Sequence, residues 1–134
     1  MAEHLSDVRG WLTKADHHRR VVRLLADYSP DMTDMVCAHA QQWAEAALKA
    51  VLVHHQIYFP RTHSVAALVS LCQAFLRELE VTPADAALLD QFGEQALEPA
   101  DRHELTLAQA GASVAAAERV WHVAMGQVPP ATHP

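Results

Sequence analysis

The sequence predicts an all-α fold, an up-and-down bundle of four or five helices, and three observations carry that expectation. Apolar residues recur at three- and four-residue steps along most of the 134 residues, the spacing that places side chains on one face of a helix. No segment alternates apolar and polar residues as a half-buried strand does. Breaks at Tyr28-Ser29-Pro30, Tyr58-Phe59-Pro60 and Thr82-Pro83 cut the chain into helix-sized pieces, because proline disfavours helical geometry in the residue before it. The length suits one domain with a core of its own, here residues 1–126, followed by a flexible tail over 127–134.

The first helix is expected from Leu5 to Asp27, with Ser6 as a candidate N-cap and Val8, Trp11, Leu12, Ala15, Val22, Leu25 and Ala26 as its buried stripe. Its middle holds the basic cluster His17, His18, Arg19, Arg20 and Arg23, which reads as a solvated face. Ser29 or Asp31 is available to cap the second helix, expected from Asp31 to Ile57. That helix is apolar around most of its circumference and is placed at the centre of the bundle. Its small alanines allow close approach of neighbours, with Trp43 filling the gaps. Asp34, Gln42, Glu45, Lys49 and Gln56 form a narrow polar seam in which Glu45 and Lys49 stand one turn apart in the favoured order for an ion pair. Because the second helix has more apolar surface than one neighbouring layer would cover, a homodimer is expected.

A third helix follows from about Ser64 to Glu78, with Val65, Leu68, Val69, Leu71, Cys72, Phe75 and Leu76 on its apolar face. Thr82 and Pro83 start a fourth, which Ala87, Leu88, Leu89 and Phe92 continue. Gly93 to Arg102 reads as an irregular connection. A last helix from about Glu104 to Met125 carries Val114, Ala117, Trp121 and Ala124 on one face, and GQVPPATHP after it reads as mobile.

Several function classes are disfavoured by what the chain lacks. A net charge of −6 argues against a general nucleic-acid coat, which needs clustered Lys and Arg. No apolar run approaches the ~18 residues of a membrane span, and the two cysteines, Cys37 and Cys72, sit inside apolar helical patterns without redox or disulfide spacing, so a reducing cytoplasm is the expected location. The ten histidines raise the question of a metal. However, no Glu-x-x-His occurs, and the adjacent pairs His17-His18 and His54-His55 point about 100° apart on a helix. No metal and no cofactor are expected. Nor is there a nucleophile elbow or a phosphate-cradling glycine loop.

One family resemblance stands out. Ala38-His39-Ala40-Gln41-Gln42, Glu45, Leu48-Lys49-Ala50 and Phe59-Pro60-Arg61-Thr62-His63 resemble the signature of HEPN domains, small helical bundles named as nucleotide-binding modules. Trp11-Leu12, Ala15 and Leu24-Leu25 are similar to that family's first helix, and Leu89, Phe92, Ala96 and Pro99 to its later segment. Two departures are visible: Leu97-Glu98-Pro99 stands where the family has an Arg-Tyr-Pro triplet, and Ser64 where it often has Asp. The resemblance implies a module that binds a nucleotide or a protein partner, in this family often a minimal nucleotidyltransferase encoded alongside it as a toxin–antitoxin or regulatory pair. The alternative it implies is a metal-independent ribonuclease toxin. Ribonucleases of the family carry an arginine followed, after four to six residues, by a histidine, and none of Arg9, Arg19, Arg20, Arg23, Arg61, Arg77, Arg102 or Arg119 has a histidine at that distance. Arg119 and His122 come nearest to a substitute on one helical face, and Arg102-His103 are mere neighbours.

The expected binding surface is Arg61 and His63 with Gln41, Gln42, Glu45 and Lys49. A loop after a central helix can present Arg and His to an anion at the N-terminus of the next helix, where free N–H groups and the helix dipole favour negative charge. No catalytic residue is assigned beyond the alternative pair Arg119 and His122.

Overall fold

The computed structural model describes residues 2–76, 81–99 and 104–134, and everything in them follows from the burial needs of one helix. This is α2, Thr33–His54, in which Val36, Cys37, Ala40, Trp43, Ala44, Ala47, Leu48, Ala50, Val51 and Leu52 are all buried. A single neighbour cannot cover a helix that is apolar on so many sides. Helices α1 (Ala2–Tyr28), α3 (Val65–Phe75), α4 (Pro83–Gln95) and α5 (Leu107–Gln127) therefore all pack against it, and α1 shares the longest seam. Contacts of His4 with His54 and of His18 with His39 show that α1 and α2 run antiparallel. The described residues contain helices and turns and no strand, which is the all-α bundle expected. The apolar surplus of α2, read from sequence as a reason for a homodimer, is covered within one chain.

Local chemistry sets most of the helix ends. Thr82 caps α4 through the Asp85 N–H at 3.2 Å, with Pro83 at the first helical position. Thr106 and Gln109 form a reciprocal capping box on α5. Neither Ser29 nor Asp31 caps α2: Met32 takes the N-cap position and offers no side-chain acceptor. Thr33 instead ties this end to the segment before α5, its hydroxyl donating to the Leu105 carbonyl at 2.6 Å. Ser6 lies inside α1, which begins before it, so it is not a cap either. The stop of α2 is also not the proline at Pro60. Gln56 enters the left-handed region at φ 57°, and the N–H groups of Gln56 and Ile57 turn back to Val53 and Leu52 at 3.0 and 2.9 Å, closing the helix at His54, three residues before Ile57.

Three further expectations are corrected by packing. Phe75, assigned to the apolar face of α3, is 64% exposed because the helix ends there and Leu76 is already extended. Gly93 belongs to α4 rather than to an irregular connection. The segment after Gly126 continues α5 by one residue, buries Val128 and Thr132, and places the Ala131 carbonyl 3.3 Å from the Arg9 guanidinium on α1. The expected extension of α3 to Glu78, Arg77 and the Arg102-His103 neighbours lie outside the described residues.

The largest buried side chain is Trp43, 1% exposed and set edge-on to Trp121 of α5 at 6.3 Å between ring centroids. Trp121 in turn carries the Arg19 guanidinium of α1 5.4 Å from its ring centre. The basic cluster of α1 is thus partly committed: Asp16 pairs with both Arg19 and Arg20, while Arg23 is exposed.

Candidate functional site

The polar seam of α2 is not a solvated stripe. Glu45 is 8% exposed and Lys49 7%, an unusual depth for two charges, and their surroundings explain it. Lys49 Nζ donates to Glu45 Oε1 at 2.8 Å, and its cationic end also lies 5.1 Å from the Trp11 ring centre and 5.9 Å from that of Phe59. Trp11 and Phe59 meet edge-to-face at 6.4 Å. The ammonium thus exchanges water for one carboxylate and two aromatic faces, and each contact offsets part of the cost of burying charge.

The loop after α2 brings a third group to the same carboxylate. His63 Nδ1 donates to Glu45 Oε1 at 3.0 Å although the imidazole is 92% exposed. With a carboxylate as acceptor, Nδ1 carries the proton and Nε2 is turned outward as an acceptor in the neutral ring. Gln41, a turn before Glu45, donates from its amide to the His63 carbonyl at 3.3 Å and to Asp90 of α4 at 3.1 Å. Its side chain passes directly over Gly93: a Cβ there would overlap Gln41 Oε1 and stand 3.0 Å from Gln41 Cβ. Glycine is what lets α4 close on α2 at this point.

Asp90 overturns one part of the sequence argument. Its carboxylate accepts from the Val65 and Ala66 N–H groups at 2.8 and 3.0 Å and from the Ser64 hydroxyl at 3.0 Å, while Ser64 Oγ accepts from Ala67 N–H at 3.1 Å. The N-terminus of α3, expected to receive an external anion beside Arg61 and His63, is already filled by the protein's own anion. Ser64 and Asp90 together cap this helix.

Around these groups the helices leave an open cleft of about 640 Å³, lined by Gln41, Gln42, Glu45, Lys49 and His63 together with Trp11, Lys14 and His18 of α1 and Asp90, Gly93, Glu94 and Leu97 from the α4 side. A second lobe of about 490 Å³ shares Trp11, Lys49 and His63 with the first and adds Phe59, Pro60, Arg61 and Thr62. A third, about 510 Å³, runs along α1 past Ser6, Gly10, Trp11 and Lys14. Trp11 therefore stands where all three meet. All six expected binding residues lie on these walls, with Arg61 in the second lobe, exposed and without an ion-pair partner among the described residues. Sequence reasoning missed the α1 and α4 contributors. Trp11 was read as core, and it is half-buried because its ring forms a wall of the cleft.

The alternative pair fares differently. Arg119 Nε and Nη2 donate to Asp85 Oδ2 and Oδ1 at 2.8 and 2.7 Å, a bidentate clamp between α5 and α4. The guanidinium holds the Asp85 carboxyl below its usual range, and the carboxylate raises Arg119 in return. Arg119 is engaged in holding two helices together, and neither it nor His122 lines the cleft. The thiols are withdrawn as well: burial pushes Cys72 up to about 12 and raises Cys37, which also receives the Ser113 hydroxyl at 3.6 Å. Among the described residues no three His, Cys, Asp or Glu side chains converge as a metal cluster, and no helix is long and apolar enough to cross a membrane.

Fold and site together define a small all-α bundle with an aromatic-walled cleft, carrying a few charged and amide groups, beside its central helix. The chain belongs to the HEPN domain family, whose sequence profile matches residues 8–127. A solved structure similar in fold is the protein TT1696 from Thermus thermophilus, 24% identical, with a TM-score of 0.71 over 90% of this chain and 98% of that one. A comparison with curated proteins returned no match.

Proposed function

We propose that this HEPN domain is a non-catalytic binding module, taking a nucleotide or a segment of a protein partner in the cleft between α1, α2, α4 and the Phe59–His63 loop. The observation that carries the reading is the preset Glu45–Lys49–His63 group at the junction of two lobes, with Arg61 uncommitted beside it. Trp11 and Phe59 offer apolar ring faces to a base or an aromatic side chain. Gln42 and the outward Nε2 of His63 offer hydrogen bonds, and Arg61 and Lys14 offer charge to phosphate or carboxylate. The partner is a minimal nucleotidyltransferase of a toxin–antitoxin or regulatory pair, and the module acts in the cytoplasm. A homodimer belongs to the same proposal, now supported by the exposed Leu24, Tyr28 and Met32 at the α1–α2 turn. Light scattering tests it, and a monomer at micromolar concentration removes it.

The binding reading is favoured over a ribonuclease because metal-free phosphodiester cleavage needs a proton-transfer group and a cation held on one phosphate. Arg119 is occupied by Asp85, and Leu97 stands at the position matching the family's arginine. Titration of wild type, Arg61→Ala and His63→Ala with nucleotides and with the nucleotidyltransferase tests the site. Unchanged affinity in both variants eliminates it. Incubation with labelled RNA in EDTA should leave the RNA intact, and cleavage abolished by His63→Ala or His122→Ala would establish the ribonuclease reading instead.

A further inference from the structure

The histidines that fail as ligands along one helix meet across two. His18 of α1 and His39 of α2 bring their Nδ1 atoms to 2.9 Å, with ring centroids 5.1 Å apart and planes at 37°. Both rings are half-buried, and burial lowers the pKa of each below the ordinary histidine value. We propose that His18 and His39 form a two-imidazole chelate for a divalent first-row transition-metal ion beside the cleft that His18 lines. A metal bound ~2.05 Å from each nitrogen across this separation subtends about 90°, the cis angle of an octahedral or square-planar ion.

Binding needs a lone pair on both Nδ1 atoms. In the metal-free pair one Nδ1–H donates to the other; on metal entry that ring moves its proton to Nε2, and no net proton is released. The chain supplies only these two donors, since no cluster of three forms among the described residues. His18 lines the cleft, so the remaining positions go to water or to a bound ligand there. Of the nearby charges, Lys14 and His17 oppose a cation and Glu45 favours it. The site is therefore one of modest affinity.

A second contact of this kind joins His4 and His54, so the test uses tag-free protein carrying His4→Ala. Titration calorimetry with Ni²⁺ should give one equivalent, weakened at least about tenfold by His18→Ala or by His39→Ala, the scale already seen for groups that only support a ligand. The double variant should bind no worse than either single one, because a chelate is lost with its first arm. Independent, additive losses, or the same loss from His17→Ala, would overturn the proposal. Nitrogen-15 spectra of the protein with both histidines intact supply a check that does not depend on variant folding. Zn²⁺ should move both Nδ1 resonances together, and movement of neither refutes the chelate.

Discussion

Replacing Asp90 by alanine should be among the most damaging single changes on the cleft wall, and the structure sets the scale. Four donors converge on this carboxylate: two N–H groups of the first turn of α3, the Ser64 hydroxyl and the Gln41 amide, all between 2.8 and 3.1 Å. Hydrogen bonds to a charged group contribute about 1.5–3 kcal/mol each in isolation, but these share one acceptor, and the two side-chain donors, the Ser64 hydroxyl and the Gln41 amide, can turn to water or another partner. A carboxylate at a helix N-terminus adds roughly 0.3–1 kcal/mol through the dipole. The expected loss is about 2–4 kcal/mol. With a urea slope of about 2 kcal/mol/M, the unfolding midpoint should fall by about 1–2 M at unchanged slope. Asn should recover part of this, since it keeps an acceptor and lacks the charge. The variant also exposes the site that Asp90 fills, so sulfate should restore stability to Asp90→Ala more than it raises wild type. A loss under about 0.5 kcal/mol, the range of ordinary surface changes, together with no differential sulfate effect, would refute the account of α3 as an anion-filled terminus.

Other expectations follow from neighbouring contacts. Gly93→Ala forces Gln41 off Asp90 and the His63 carbonyl, costing about 1–3 kcal/mol as overpacking does, and urea unfolding should show it; in a Gln41→Gly background, where the obstructing side chain is already gone, the further loss caused by Gly93→Ala should be much smaller. Trp43→Ala should cost about 3–5 kcal/mol, and a value under about 1 would place Trp43 outside the core. Trp43→Phe should cost less than Trp43→Ala, because it keeps a ring in the core while removing an indole N–H that is buried without a partner among the described residues. The Arg119 contact depresses Asp85, so the folded state holds that proton less readily than the unfolded chain. Its contribution is complete above the ordinary aspartate value and is lost as pH falls below about 4. Asp85→Asn should flatten the acid limb of a stability-against-pH curve, and an unchanged limb would contradict the clamp.

How much could be read in advance depended on sequence distance. The all-α bundle, the central position of α2 and the Thr82-Pro83 start are local periodicities and local caps, and they are present as expected. Gln41, Gln42, Glu45, Lys49 and His63 come together because they belong to one helix face and the loop that follows it. Trp11, Lys14, Asp90 and Glu94 reach the same cleft from helices whose packing no short-range pattern encodes. The spacing of Glu45 and Lys49 predicted their ion pair but not its burial, which the rings of Trp11 and Phe59, distant in the chain, make tolerable. Arg119 looked like a free cation for the same reason, since Asp85 lies 34 positions away. The end of α2 was misread in a different way. A proline offered a visible reason to stop, while the actual stop is a glutamine with positive φ, a conformation its side chain does not advertise.

The three tryptophans divide into two optical populations. Trp43 and Trp121 lie edge-on in the core, close enough to exchange excitation, so their combined emission should report on the packing of α2 against α5. Trp11 stands apart from them at the junction of the cleft lobes, half-exposed and with the Lys49 cation against its ring. Light emitted at longer wavelength, and open to quenching by iodide or acrylamide, should therefore come from Trp11. A molecule entering the cleft should dim or shift that component and leave the core pair unchanged, while loosening of the bundle should do the reverse. The protein thus carries separate built-in signals for occupancy and for folding, readable without a label.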